Sequence, residues 1–123
     1  NVRLVLADGR AGLMHLVAPG SLAEIRVFFP DPWPKARHHK RRLVSPGFAE
    51  LVASRLRPGG VLRLATDWEG YALTMRQVLD ASTLVNLHPG WAPRFAQRPV
   101  TKYERRGLAA GRRIYDLSYG RRR

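Results

Sequence analysis

Cysteine is missing altogether from the 123 residues. Its absence excludes disulfides, thiolate metal sites and cysteine nucleophiles, including covalent addition of a thiolate to a pyrimidine ring. Histidine is scarce: of four, only His38 and His39 lie close together. Adjacent residues do not easily share one metal, so no metal site is expected. No apolar run approaches the roughly 20 residues that span a bilayer. There is no short apolar segment of the signal-peptide kind and no initiator methionine, and the sequence opens inside an apolar strand pattern. Asn1 is therefore not expected to be a native beginning. Internal repeats and low-complexity tracts are lacking too. Acidic residues are few: 9 Asp plus Glu stand against 22 Lys plus Arg, a net charge of +13. Such an excess on one small domain favours a polyanionic partner, through phosphate neutralisation and counterion release. A GC-rich genome would also raise surface arginine without local reason. A membrane surface suits less well, because the basic residues do not follow an amphipathic helix.

What is present fits one globular domain, with 45% hydrophobic and 25% charged residues. Val2–Ala7 reads as a mostly buried strand, and Ala23–Phe29 as a second, halted by Pro30. Ser45-Pro46 reads as an N-cap with proline at the first helical position. Phe48, Leu51, Val52 and Leu56 follow at helical spacing, and Arg57-Pro58-Gly59-Gly60 stops the helix. Val61–Ala65 is a third strand. Thr66 and Glu69 have capping-box spacing for a helix burying Trp68, Tyr71, Ala72, Met75, Val78 and Leu79. Leu84–His88 reads as a short strand, 89–111 as a loop rich in Pro, Gly and Arg, and Arg113–Tyr119 as a last strand. Arg121–Arg123 reads as a solvated tail. The alternation predicts an α/β sheet with helices on both faces.

In open parallel sheets, ligands bind beyond the carboxyl ends of the strands. Asp8, Asp31 and Asp67 each follow one of the first three predicted strands. Asp8 alone could be a turn residue and Asp67 alone a helix cap; three carboxylates at one edge suggest a site.

The most informative stretch runs from Phe28 to Arg42, Phe-Phe-Pro-Asp-Pro-Trp-Pro-Lys-Ala-Arg-His-His-Lys-Arg-Arg. Three prolines in five residues stiffen the loop and hold Asp31 extended. A rigid carboxylate beside an aromatic ring suits a flat base with N–H donors. The Lys35–Arg42 run adds cations for phosphates next to a ring for stacking. A structural turn followed by a solvated basic segment is the blander reading.

This segment resembles the signature of the bacterial tRNA (guanine-N7)-methyltransferases. The likeness continues through Ala65-Thr66-Asp67-Trp68, the run from Arg98 to Gly107 and Ile114-Tyr115-Asp116-Leu117, and so covers essentially the whole chain. It implies S-adenosylmethionine as cofactor, tRNA as partner, the variable-loop guanine as target and action in the cytoplasm. Asp8 and Asp31 are implied as donor contacts, with Asp31 also the catalytic residue. Lys35, Asp67, Thr101, Lys102, Tyr103 and Glu104 match substrate-binding positions, Asp67 and Glu104 as acceptors for the guanine edge. Arg37, His38, Lys40, Arg41 and Arg42 match RNA-binding positions. Gly9-Arg10 departs from the alanine that usually follows the first Asp.

The resemblance also implies the sheet order 3-2-1-4-5-7-6. Residues 1–123 would then be the C-terminal part of one methyltransferase domain, an incomplete Rossmann-like sheet holding strands 3–7. The family's glycine-rich donor loop and ribose carboxylate are not found, the only Gly-Gly pair being a helix stop. With strands 1 and 2 lacking, Val2–Ala7 is expected to have no neighbour and the isolated chain to be marginally folded and inactive. A non-catalytic tRNA- or rRNA-binding module would also explain the charge and aromatics. An adenine amino-group methyltransferase is a further rival, through the loose likeness of Pro-Asp-Pro-Trp to that class's loop.

Overall fold

The computed structural model describes residues 2–6 and 11–123. In chain order the elements are β1 (Val2–Leu6), a 3-10 helix (Ala11–Leu16), β2 (Leu22–Phe28), a second 3-10 helix (Ala36–Arg41), α1 (Pro46–Arg55), β3 (Leu56–Thr66), α2 (Glu69–Asp80), β4 (Val85–Asn86), α3 (Lys102–Ala109) and β5 (Tyr115–Gly120). They build one sheet in the order β1-β2-β3-β5-β4, with β1, β2 and β3 parallel and β5 antiparallel to both its neighbours.

Side-chain alternation explains the packing. Leu4, Ile25, Leu62 and Tyr119 form one row across the sheet, and Leu6, Val27, Leu64 and Leu117 the next. Because strand side chains alternate, both rows face the same side. There they meet Phe48, Ala49 and Val52 of α1 and Tyr71, Met75 and Leu79 of α2 in a single core. Ser45 caps α1 as predicted, its hydroxyl accepting from Phe48 N at 3.3 Å, with Pro46 in the first turn. Tyr71 is fully buried, and its hydroxyl accepts from Val44 N at 3.0 Å.

The opposite face is polar. Glu24 sits among Arg3, Arg26 and Arg63 at 3.5, 3.1 and 2.8 Å, and the Arg26 and Arg63 guanidinium groups lie over the Phe95 ring. Burial alone would raise the Glu24 carboxyl, but hydrogen bonds and charge from Arg26 and Arg63 hold it below its ordinary value. α1 and α2 share the face that presents the continuous apolar rows, while Arg98 ties Glu104 of α3 to Asp116, which alternation puts on the polar side.

Four expectations change. Val2–Ala7 was expected to stand alone, yet Val2–Leu6 pairs with β2 at five positions; Leu4 and Leu6 extend the apolar rows, with Leu6 buried and Leu4 half-buried, while Val2 and Val5 stay exposed. Thr66 is no helix cap. It still pairs with Tyr115 in the sheet, its hydroxyl accepts from Trp68 N, and α2 starts at Glu69 without a side-chain cap. The 89–111 loop contains α3, capped by Thr101, whose hydroxyl accepts from Glu104 N at 3.2 Å. Finally, residues 57–60 form a bulge within β3, since Leu22 pairs with Leu56 but Glu24 with Val61. Gly60 is required there: a Cβ would lie 2.9 Å from the carbonyl oxygens of Arg57 and Leu22.

Candidate functional site

The parallel strands end at one rim, and the Pro-Asp-Pro-Trp-Pro loop leaves from it. Phe29 N donates to Ala65 O at 2.7 Å, prolonging the β2–β3 pairing by one residue. Phe29 and Trp33 both have positive φ, 54° and 41°, uncommon for bulky residues and the kind of local strain found at functional sites. Between them Asp31 is exposed. The loop is strapped from below by Arg42. Its Nε donates to Pro32 O at 2.7 Å and its Nη1 to Thr74 Oγ1 at 3.3 Å, while the guanidinium covers the Tyr71 ring at 4.7 Å. Burial lowers the Arg42 pKa. Arg42 is therefore committed to the loop, whereas Lys35, Arg37, Lys40 and Arg41 are exposed on or beside the 3-10 helix. Trp33 anchors that helix: the His38 ring meets it edge-on at 5.6 Å, and the Arg41 guanidinium lies 5.1 Å above it. His39 has a ring nitrogen 3.1 Å from Pro34 O.

Beside this loop, Asp67 follows β3 directly and is buried. Its Oδ2 accepts from Arg112 Nε at 2.7 Å and its Oδ1 from the Tyr103 hydroxyl at 3.3 Å. Tyr103 packs on Phe29 at 5.3 Å between ring centres, which joins α3 to the loop. Burial raises the Tyr103 pKa, and the negative charge of Asp67 and, more weakly, of Asp31 adds to it. Phe29 thus links the loop that holds Asp31 to the Asp67–Tyr103 pair. Gly107 of α3 backs the carboxylate, where a Cβ would come 3.2 Å from Asp67 Oδ2.

Glu104 faces inward instead. It is 2% exposed and accepts from Arg94 Nε and Arg98 Nε, both at 3.1 Å. Arg98 also pairs with both oxygens of Asp116. Burial would raise the Glu104 carboxyl, yet the hydrogen bonds and charges of Arg94 and Arg98 hold it below its ordinary value. The two buried carboxylates likewise raise the Arg98 pKa against burial.

Of the residues singled out from sequence, Asp67 and Tyr103 come together at the rim, Phe29 joins them to the loop of Asp31, and Lys35 and Lys102 are exposed nearby in the chain. Thr101 serves as the α3 cap, Glu104 as an internal ion-pair partner and Arg42 as a loop strap. Asp8 lies outside the described residues. Arg112, Arg98 and Phe29 were not singled out as site residues. Arg112 reaches Asp67 across 45 positions of sequence, a separation at which no local pattern could signal the pairing. Cavities of about 400 and 510 Å3 open at the opposite rim, beside Ser54, Thr83 and Arg122, and so do not mark this site. No group of three or more metal-ligating side chains occurs among the described residues, and none of their helices is long and apolar enough to cross a membrane.

A family model described as "Putative methyltransferase" matches residues 1–117. The chain belongs to this methyltransferase family. Two relatives, each named tRNA (guanine-N(7)-)-methyltransferase, come from Nocardioides sp. and Cutibacterium acnes. They are 58% and 55% identical over 99% and 98% of this chain, but over only 48% and 45% of their own lengths. The chain thus spans about half the length of the curated relatives it matches. Among solved structures, a Thermus thermophilus protein described as a DNA modification methylase aligns with TM-score 0.53 at 14% identity, covering all of this chain and 54% of its own. A methyltransferase in complex with its activator from Haloferax volcanii aligns at 0.51 and 11% identity, over 87% of this chain and 57% of its own. At such identities the likeness establishes the Rossmann-like methyltransferase fold.

The methyltransferase rim suits one side of a donor. Asp31 offers a carboxylate on a rigid loop, suited to the positive charge that a sulfonium donor carries. A glycine-rich loop opening a helix, the usual cradle for a nucleoside donor, does not occur in these 123 residues.

Proposed function

We propose that the full-length protein transfers a methyl group from S-adenosylmethionine to N7 of guanine in tRNA, with residues 1–123 forming the C-terminal part of one methyltransferase domain. The observation that carries this reading is the packing of the Asp31 loop, through Phe29, on the Tyr103 that holds Asp67, beside an exposed basic helix anchored on Trp33. The relatives' names support the substrate, and the cytoplasm is the compartment this substrate calls for.

N7 of guanine carries an in-plane lone pair and no proton, so its attack on a methyl group needs no obligatory base. The donor, when bound, supplies the electrophilic methyl. The chain's task is to hold N7 at near-attack distance and to offset the positive charge that the purine gains. Asp31 performs both, since its flanking prolines fix its approach. Asp67 accepts from the N1–H and 2-amino donors of guanine, an edge that adenine does not present. Tyr103 holds Asp67 and offers an exposed ring at the rim. Glu104 acts indirectly, locking α3 in place through Arg94 and Arg98. Lys35, Arg37, His38, Lys40 and Arg41 bind the tRNA backbone, with Lys102 at the start of α3.

The test is methyl transfer to unmodified tRNA by the full-length protein, read as 7-methylguanosine by nucleoside mass spectrometry. Product is expected, and substitution of 7-deazaguanine at the target should abolish it. Methyl groups on an exocyclic amine, or none at all, would refute the assignment. The 123-residue chain alone is expected to bind tRNA without methylating it.

A further inference from the structure

Arg112 is not among the residues assigned to the base, yet it occupies the carboxylate that the proposed function gives to guanine. Its Nε–H donates to Asp67 Oδ2 at 2.7 Å, with the Arg112 side chain 43% exposed and that of Asp67 only 1%. A planar guanidinium offers parallel N–H donors in the same manner as the N1–H and 2-amino edge of guanine. We infer that Arg112 is a base-displaced latch: it satisfies Asp67 in the free protein and is exchanged for the edge of the target base on binding. This inference rests on the guanine-methylation reading above.

Two features of the structure support the exchange. The latch comes from the solvent side, with Arg112 in the exposed turn between α3 and β5, so it can swing away without disturbing the core. The Asp67 carboxylate is held separately by the Tyr103 hydroxyl at Oδ1, and Gly107 leaves no side chain against Oδ2. Displacement therefore frees Oδ2 without releasing the carboxylate. A base lacking an N–H edge would break the Arg112 bond and leave a buried carboxylate short of a donor, a large penalty for a charged group. Arg112 thus occupies Asp67 until a base edge takes its place, and disfavours bases that cannot replace it.

The test uses the full-length protein and its tRNA substrate. Arg112→Ala removes a competitor for Asp67, so KM for tRNA should fall by about fivefold, the scale of a part-exposed ion pair, and move more than kcat. A rise in KM with a shallower salt dependence would show instead that Arg112 holds a phosphate. A drop in kcat accompanied by a lowered Tm would show that it merely braces the fold. Either result overturns the latch. Wild-type protein provides a second readout independent of folding. The Arg112 Nε–H resonance, assigned by its loss in Arg112→Lys, should be present in the free protein and vanish or shift when target tRNA saturates it. Persistence of that resonance in the complex overturns the latch. Failure of the underlying reading is recognised separately, as absence of 7-methylguanosine with either protein, and removes the inference with it.

Discussion

Replacing Arg98 by alanine should be among the most damaging single changes in the described structure. Arg98 is 3% exposed and bridges Glu104 and Asp116, themselves 2% and 5% exposed. Through it α3 is tied to β5, and Asp116 separately accepts from Phe95 N at 3.2 Å. Removing one partner of a buried ion pair costs about 3–5 kcal/mol, mostly because the remaining charges are stranded. Two carboxylates would be stranded here, although Glu104 keeps Arg94 and Asp116 keeps Phe95 N. These residual partners argue for the middle of that range, about 4 kcal/mol, a large part of the 5–15 kcal/mol typical of a domain. Arg94→Ala is the control. Arg94 bonds to the same Glu104 but its side chain is 38% exposed, so its loss should cost about 1 kcal/mol or less. Urea unfolding of the full-length protein measures both. Amide hydrogen exchange should show the Arg98→Ala loss concentrated in Lys102–Ala109, ahead of β2 and β3. If Arg98→Ala cost no more than Arg94→Ala, or left α3 protection unchanged, the buried network would not be what holds α3 to the sheet.

Asp31→Ala should lower kcat for methyl transfer by an amount worth on the order of 2–4 kcal/mol while leaving tRNA affinity nearly intact; filter binding alongside single-turnover kinetics separates the two. Arg41→Ala should weaken tRNA binding and flatten its log–log salt dependence by about one unit. Arg42→Ala should leave that slope unchanged and instead lower turnover and Tm, because it loosens the loop around Asp31. Stability should also fall in acid. Glu24 and Glu104 titrate below their ordinary value of 4.5 in the folded chain, so their contribution is fully present above that pH and is lost as pH falls through the lower folded values. Urea midpoints across that range check this, and Glu104→Gln should reduce the acid dependence.

The residues themselves carried the chemistry of the site and much of the topology. Pro30-Asp31-Pro32-Trp33-Pro34 announces a rigid carboxylate because proline restricts its neighbours wherever it stands. The alternation in β2 and β3, and Ser45-Pro46 before α1, are likewise local signals that tertiary contacts left unchanged. Local pattern also misled. Thr66 and Glu69 have capping-box spacing, but Thr66 remained in the sheet, while the same spacing at Thr101 and Glu104 marks a helix whose first residues read as loop.

Partnership was decided only in three dimensions. Arg42, Glu104 and Thr101 look like ligand contacts in sequence, yet the fold commits their side chains to Pro32, to Arg94 and Arg98, and to a helix amide. Arg112 looks like one more surface arginine until the turn after α3 brings it to Asp67. Sequence by itself determined which groups could ionise, stack or stiffen the chain, because those are properties of single residues and near neighbours. Which carboxylates remain available, and to whom, depended on contacts tens of residues apart. Burial makes such contacts obligatory, since a charge removed from water must find its counterpart wherever the chain supplies it.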